Sequence, residues 1–123
     1  MSYIADNPKA YEGKVVGSGH CVPFVQEVTD APHTSLWKRG ELVKNNKDIK
    51  VGTAIATFSS DGKYTNSVDG SSHSAIYVQQ DAAAIQVWDQ WLTQPVHQRW
   101  IRFQGGGDGV RPVNDGDAYY IIA

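Results

Sequence analysis

A single cysteine, Cys21, in 123 residues rules out an intramolecular disulfide, and with it the small disulfide-stapled folds. Cysteine and histidine at close spacing are too few for a structural zinc site. No metal or other cofactor is expected. Basic residues form no block: 11 Lys and Arg against 13 Asp and Glu give a formal net charge of −2, so no nucleic-acid partner is expected. No apolar run reaches the roughly 18 residues of a membrane span, so no membrane association is expected. Residues Met1 to Asp6 lack the basic stretch followed by an apolar run that marks a signal peptide. We therefore expect synthesis in the cytoplasm, with some route other than general secretion if the target lies outside.

What is present fits one folded unit over residues 1–123. Hydrophobic residues make up 41% and charged residues 20%, which suits a domain able to bury a core without staples. Gly17-Ser18-Gly19 form a turn directly before His20-Cys21. Cys21, Phe24, Val25 and Val28 then recur at helical spacing, which predicts a helix beginning near Cys21. Pro23 fits only the first turn of a helix, where its missing N–H costs nothing, so it pins Cys21 to the helix N-terminus. Ala31-Pro32 should end that helix. Leu36-Trp37 and Glu41-Leu42-Val43 read as a loop with one helical turn. Strands are expected at Thr53–Phe58, His73–Val78, Ile85–Asp89, Val96–Phe103 and Tyr119–Ile122. Turns or loops at Ser59–Lys63, Asn66–Ser72, Gln80-Asp81 and Gly105–Gly109 separate them. Short turns favour antiparallel pairing. The expected fold class is α+β, with one N-terminal helix on an antiparallel sheet of four to five strands.

Cysteine attacks as its thiolate, and an ordinary thiol, which ionises well above pH 7, is only slightly ionised at neutral pH. A helix N-terminus favours the anion by roughly 0.3–1 kcal/mol, and a neighbouring imidazolium favours it further. Cys21, at a helix mouth behind a glycine-rich turn, is thus a candidate nucleophile rather than a small core residue. Among the four histidines, His20 adjoins Cys21 but projects in a different direction, which suits a cleft wall. His33 and His97 lie in polar segments and read as surface residues. His73 opens a strand directly after a Gly/Ser loop, where its ring is held rigidly yet reachable, so it is the candidate base. A base needs an orienting group on its second nitrogen. Asp89 alternates with Ile85 and Val87, which places its carboxylate on a core face that demands a partner. Gln90 takes that role instead if a one-residue bulge reverses the strand.

Trp37 and Trp91 flank the proposed site segments and are assigned to the substrate cleft, whereas Trp88 and Trp100 are assigned to packing. The loop Asn66–Ser72 should shape the rim near His73, with Ser72 on the substrate side. His20 and Gln90 complete the expected substrate-binding set.

Cys at a helix start, His at a strand start and a polar residue on the next strand, in that order, resemble the papain-like cell-wall peptidases of the NlpC/P60 and CHAP group. His73-Ser74-Ala75-Ile76-Tyr77-Val78 and Val87-Trp88-Asp89-Gln90 carry that likeness. Gly19-His20-Cys21-Val22, His33-Thr34-Ser35-Leu36-Trp37 and Gly52-Thr53-Ala54-Ile55-Ala56-Thr57-Phe58 are further similar to the third family of type VI secretion amidase effectors. The likeness spans residues 15–103. It implies a papain-like NlpC/P60 fold with Cys21 as nucleophile, His73 as base and Asp89 as orienting acid. It also implies an antibacterial toxin that cuts the D-alanine–meso-diaminopimelate crosslink in peptidoglycan of a rival Gram-negative cell. The type VI secretion machinery would deliver it to the target periplasm, and a cognate immunity protein would block the cleft in the producer. Two alternatives stay open: a non-catalytic cell-wall or protein-binding module, which four Trp and six Tyr would suit, and a cysteine deamidase or acyltransferase on the same fold.

Overall fold

The computed structural model describes residues 2–67, 69–106 and 109–123. Gly107 and Asp108 of the expected glycine-rich loop, and Val68 of the loop at 66–72, lie outside them. Helix α1 runs Cys21–Thr29, followed by strands β1 (Arg39–Leu42), β2 (Ala54–Thr57), β3 (Ser74–Gln80), β4 (Ala84–Trp91), β5 (Gln94–Arg102) and β6 (Tyr119–Ile122). They form one sheet in the order β1-β6-β2-β3-β4-β5, and every pairing is antiparallel.

Helix α1 starts at Cys21, as its periodicity and Pro23 require. It stops before Ala31-Pro32: Asp30 turns left-handed (φ 60°) and returns its N–H to the Gln26 carbonyl at 3.0 Å. Its buried face, Val22, Phe24 and Val25, packs on β3 and β4. That contact forms a core with Ala54, Ala56, Ile76, Trp88 and Ile122. The opposite sheet face buries Ile55, Ala75, Tyr77, Ile85, Val87, Ile101 and Tyr119. Alternation therefore divides β3 and β4 between two apolar layers.

The sheet has six strands, one more than the upper expectation. The extra one is β1, in a stretch from Leu36 to Val43 expected to be a loop with one helical turn. Arg39–Leu42 is largely exposed and becomes a strand only by pairing with β6 at the sheet edge. The helical turn lies earlier, as a short 3-10 segment at Thr34–Leu36. Gln80, expected in a turn, is the last residue of β3. Residues before Val15 also join the fold: Ile4 bridges Thr53, Ala5 is buried, and Gly13 N–H donates to the Val96 carbonyl.

Candidate active site

The turn before α1 has no regular structure of its own, so something else must place Cys21. Gln90, on β4, does so. Its amide accepts from Val16 N–H (3.0 Å) and donates to the carbonyls of Val16 (2.8 Å) and His20 (2.8 Å). Gly17 lies so close to the helix that an added Cβ would sit 2.7 Å from the Pro23 Cβ, at a φ of +57° that favours glycine. The loop is thus clamped between β4 and the first helical turn, with His20 extended at the N-cap and Cys21 first in the helix.

His73 lies one residue before β3. Thr57 on β2 fixes its backbone: its N–H donates to the His73 carbonyl and its Oγ1 accepts from His73 N–H, both at 3.0 Å. Thr57 Oγ1 also donates to the Ser71 carbonyl, which anchors the approaching loop. The His73 ring is buried, and its Nε2 hydrogen-bonds Asp89 Oδ2 at 2.7 Å. That leaves Nδ1 for the thiol. Asp89 is fully buried, and the same Oδ2 accepts from Arg99 Nε at 2.9 Å. His97 Nε2 lies 3.0 Å from Oδ1, though neither atom has a hydrogen bond of good geometry among the described residues. Trp91 covers this cluster, 5.0 Å from the His97 ring, 6.4 Å from the His73 ring and 5.0 Å beneath the Arg99 guanidinium.

Burial opposes charge on all three groups, yet their mutual contacts outweigh it. The Cys21 thiol is pushed up by burial but pulled down further by the His73 imidazole and by Ser74, to about 7. Burial pushes the His73 imidazole down, but hydrogen bonds and charge from Asp89 and Cys21 raise it to about 9. The Asp89 carboxyl, opposed by its own desolvation, is held below the usual carboxylate range by His73 and Arg99. Between about pH 7 and pH 9 the thiol and imidazole are therefore poised as a thiolate–imidazolium pair, oriented by a carboxylate. Among the described residues, no group of three His, Cys, Asp or Glu could hold a metal ion.

Residues 1–122 match the family described as domesticated amidase effector 2. The chain belongs to this family. It is 37% identical to a type VI secretion amidase effector 2 protein from Salmonella typhi over 134 aligned residues, covering 99% of both chains. It is 36% identical to domesticated amidase effector 2 from Ixodes scapularis, covering 94% of this chain and 81% of that one. The solved structure of a type 6 secretion amidase effector 2 superposes with a TM-score of 0.86 at 36% identity, over 98% of this chain and 93% of the other. The fold is thus papain-like, and membership makes the chain an amidase, a hydrolase. The similarity extends to both ends, well beyond residues 15–103, and these relatives are numbered second rather than third among the effectors.

The structure brings Cys21, His73 and Asp89 together. His20 is exposed and, with Ser18, Val22, Pro23 and Asn66, lines a hollow of about 330 Å³ at the mouth of α1. Ser72, next to His73 in sequence, is half-buried and hydrogen-bonds Thr65. Trp91 is partly exposed over the site. Gln90 is a correction: it is fully buried on the opposite strand face from Asp89, so it neither orients His73 nor lines a cleft. Trp37 is another, being 3% exposed, packed on Tyr64, with its indole N–H on the Pro32 carbonyl. Trp100, expected in packing, is 45% exposed on the edge strand β5. His97 is no free surface residue, since it meets Asp89. Sequence reasoning missed Arg99, Thr57, Tyr64 and Ser74. The pairing of β4 with β5 sets Asp89 opposite His97, a register that depends on an irregularity between Asp89 and Trp91 and that no local pattern announces.

Proposed function

We propose that this chain is a peptidoglycan amidase effector that hydrolyses the D-alanine–meso-diaminopimelate crosslink of Gram-negative cell walls, with Cys21 as nucleophile, His73 as base and Asp89 as orienting acid. The observation that carries the reading is the buried 2.7 Å contact of His73 Nε2 with Asp89. It fixes one ring nitrogen and turns the other toward a thiol at a helix mouth. The crosslink assignment rests on the motif likeness to the effector amidases.

The chemistry follows from these positions. The Cys21 thiolate attacks the amide carbonyl carbon, and the C=O electrons move to oxygen. Backbone N–H groups at the start of α1, including that of Cys21, meet the oxyanion. The intermediate collapses, the C–N bond breaks, and the His73 imidazolium gives its proton to the departing amine. A water then loses its proton to His73 and attacks the thioester, releasing the acid and regenerating the thiolate. Asp89 keeps the imidazole in the productive orientation throughout.

The bacterial relative's name supports delivery by a type VI machine, into the target-cell periplasm on this reading. A producer would then need a cognate immunity protein over the cleft. Digestion of purified sacculi by the wild type and Cys21→Ala, with mass spectrometry of the muropeptides, tests the function. Loss of crosslinked dimers with wild type alone is expected. An intact dimer pool with wild type, or equal digestion by Cys21→Ala, would overturn the reading.

A further inference from the structure

The Cys21 sulfur has two hydroxyl neighbours that the dyad leaves unused. Tyr64 Oη lies 3.7 Å from Cys21 Sγ. Its ring is held between Trp37 (centroids 4.8 Å apart) and Phe58 (6.2 Å), so the hydroxyl cannot swing away without disrupting the core. Ser74, the first residue of β3, is fully buried, and its Oγ has no hydrogen-bond partner among the described residues. A buried hydroxyl left unpaired is costly, so it calls for a reason. Alternation supplies one: His73 and Ala75 face one side of the sheet, and Ser74 faces the other, toward α1 and its thiol.

We propose that the Tyr64 and Ser74 hydroxyls are hydrogen-bond donors to the Cys21 thiolate, a second activating group beside His73. This rests on the assignment of Cys21 as nucleophile. A phenol is well suited to the task. Burial and the neighbouring thiolate push its ionisation far up, so Tyr64 keeps its proton wherever the thiolate exists. Ser74 Oγ, unpaired beside a neutral thiol, gains an acceptor when the thiol ionises. Its satisfaction is thereby reserved for the reactive state. Ser74 contributes to the lowered ionisation of Cys21 through both hydroxyl and backbone. Hydrogen bonds to a charged form lower its pKa, each by about half to one unit.

Tyr64→Phe and Ser74→Ala remove one oxygen each and keep the packing. The test is the pH midpoint of Cys21 alkylation by iodoacetamide, read by intact mass, together with kcat and KM on sacculi. Each substitution should raise the midpoint by about half to one unit and lower kcat about two- to fivefold at pH 7, with KM little changed. A role in packing alone would leave the midpoint where it is. Midpoints unchanged in both variants overturn the proposal. A shift in only one overturns the paired form and leaves a single donor. A wild-type midpoint near that of free cysteine, with Cys21→Ala still active, instead overturns the assignment of the nucleophile.

Discussion

Replacing His73 by Gln tests whether an imidazole sets the reactivity of the thiol. Glutamine is close in volume and its amide can still donate to Asp89, so the site should stay filled. It cannot carry a proton charge. The structure holds the Cys21 thiol at about 7, against an ordinary value of 9.0, and His73 is the largest cause that lowers it. That difference is about two units, or roughly 3 kcal/mol in favour of the anion. At pH 6 the wild type then carries about 10% thiolate, whereas a thiol returned to its ordinary range carries about 0.1%, a hundredfold change. Lower basicity also weakens each thiolate: with a Brønsted slope of about 0.4–0.5, two units cost about eightfold in intrinsic rate. The net loss of alkylation rate at pH 6 is therefore about tenfold, but the pH midpoint should move by the full two units or more. Burial remains and now acts unopposed by the imidazole. Iodoacetamide incorporation followed from about pH 5 to about pH 10 reads the midpoint directly, since the rate tracks thiolate fraction. A His73→Gln midpoint that stays near neutrality would refute the reasoning, because something other than the imidazole would then be ionising the thiol.

The pH profile of kcat/KM should be a bell with limbs near 7 and 9. The depressed thiol supplies its nucleophile only above about 7, and the raised imidazole supplies its proton only below about 9; a profile still rising beyond pH 9 would remove the imidazolium from the mechanism. Asp89→Ala should lower the alkaline limb, cut kcat/KM and cost about 3–5 kcal/mol of stability, since it leaves Arg99 and His73 charged around an empty site; urea denaturation alongside the rate profile checks both, and an unaltered alkaline limb would deny Asp89 its role. Gln90→Ala removes three hydrogen bonds from the turn before Cys21. It should cost about 2 kcal/mol and lower kcat more than it raises KM, with wild-type kcat the contrary result. Gly17→Ala, at φ +57° and facing Pro23, should destabilise by about 1–3 kcal/mol in thermal unfolding, and an unchanged melting temperature would mean the loop has room that the geometry denies.

Much of the fold was legible because local rules and tertiary structure agreed. Pro23 and the apolar spacing marked the start of α1, and the β-rich runs located five of the six strands. Asp89 was legible from simple alternation with Ile85 and Val87, which the structure places on one buried face. What could not be read depended on pairing partners. β1 carries no pattern of its own; its strand character comes from β6, eighty residues downstream in the chain by its Arg39 to Ile122 pairing. His97 was hidden by a bulge. Trp91 pairs with Gln94, so an unbroken ladder would set Asp89 opposite Val96, whereas the irregularity between Asp89 and Trp91 shifts His97 into place. Trp37 was misread because closeness in sequence to a site is not exposure, and its indole N–H found a buried acceptor in Pro32.

The adjacent pair Asp89-Gln90 explains how two distant segments meet with the accuracy that acyl transfer needs. Successive residues of a strand face opposite ways. Asp89 reaches through one face to hold the His73 ring, and Gln90 reaches through the other to hold the turn that delivers Cys21. Neither target is rigid by itself: one is a strand flank after a polar loop, the other a glycine-bearing turn. Both take their position from the same two residues of β4, which is paired on both sides, to β3 and to β5. Ring and turn are thereby tied to one strand, while Thr57 on β2 holds the His73 backbone. The two anchors nevertheless act on different quantities. Loss of Asp89 removes the charge that raises the imidazole and leaves the thiol's loop clamped, whereas loss of Gln90 releases the loop and leaves the imidazole charged. The papain-like site is in this sense organised by the sheet, and the helix N-terminus contributes its field only where β4 allows the sulfur to sit.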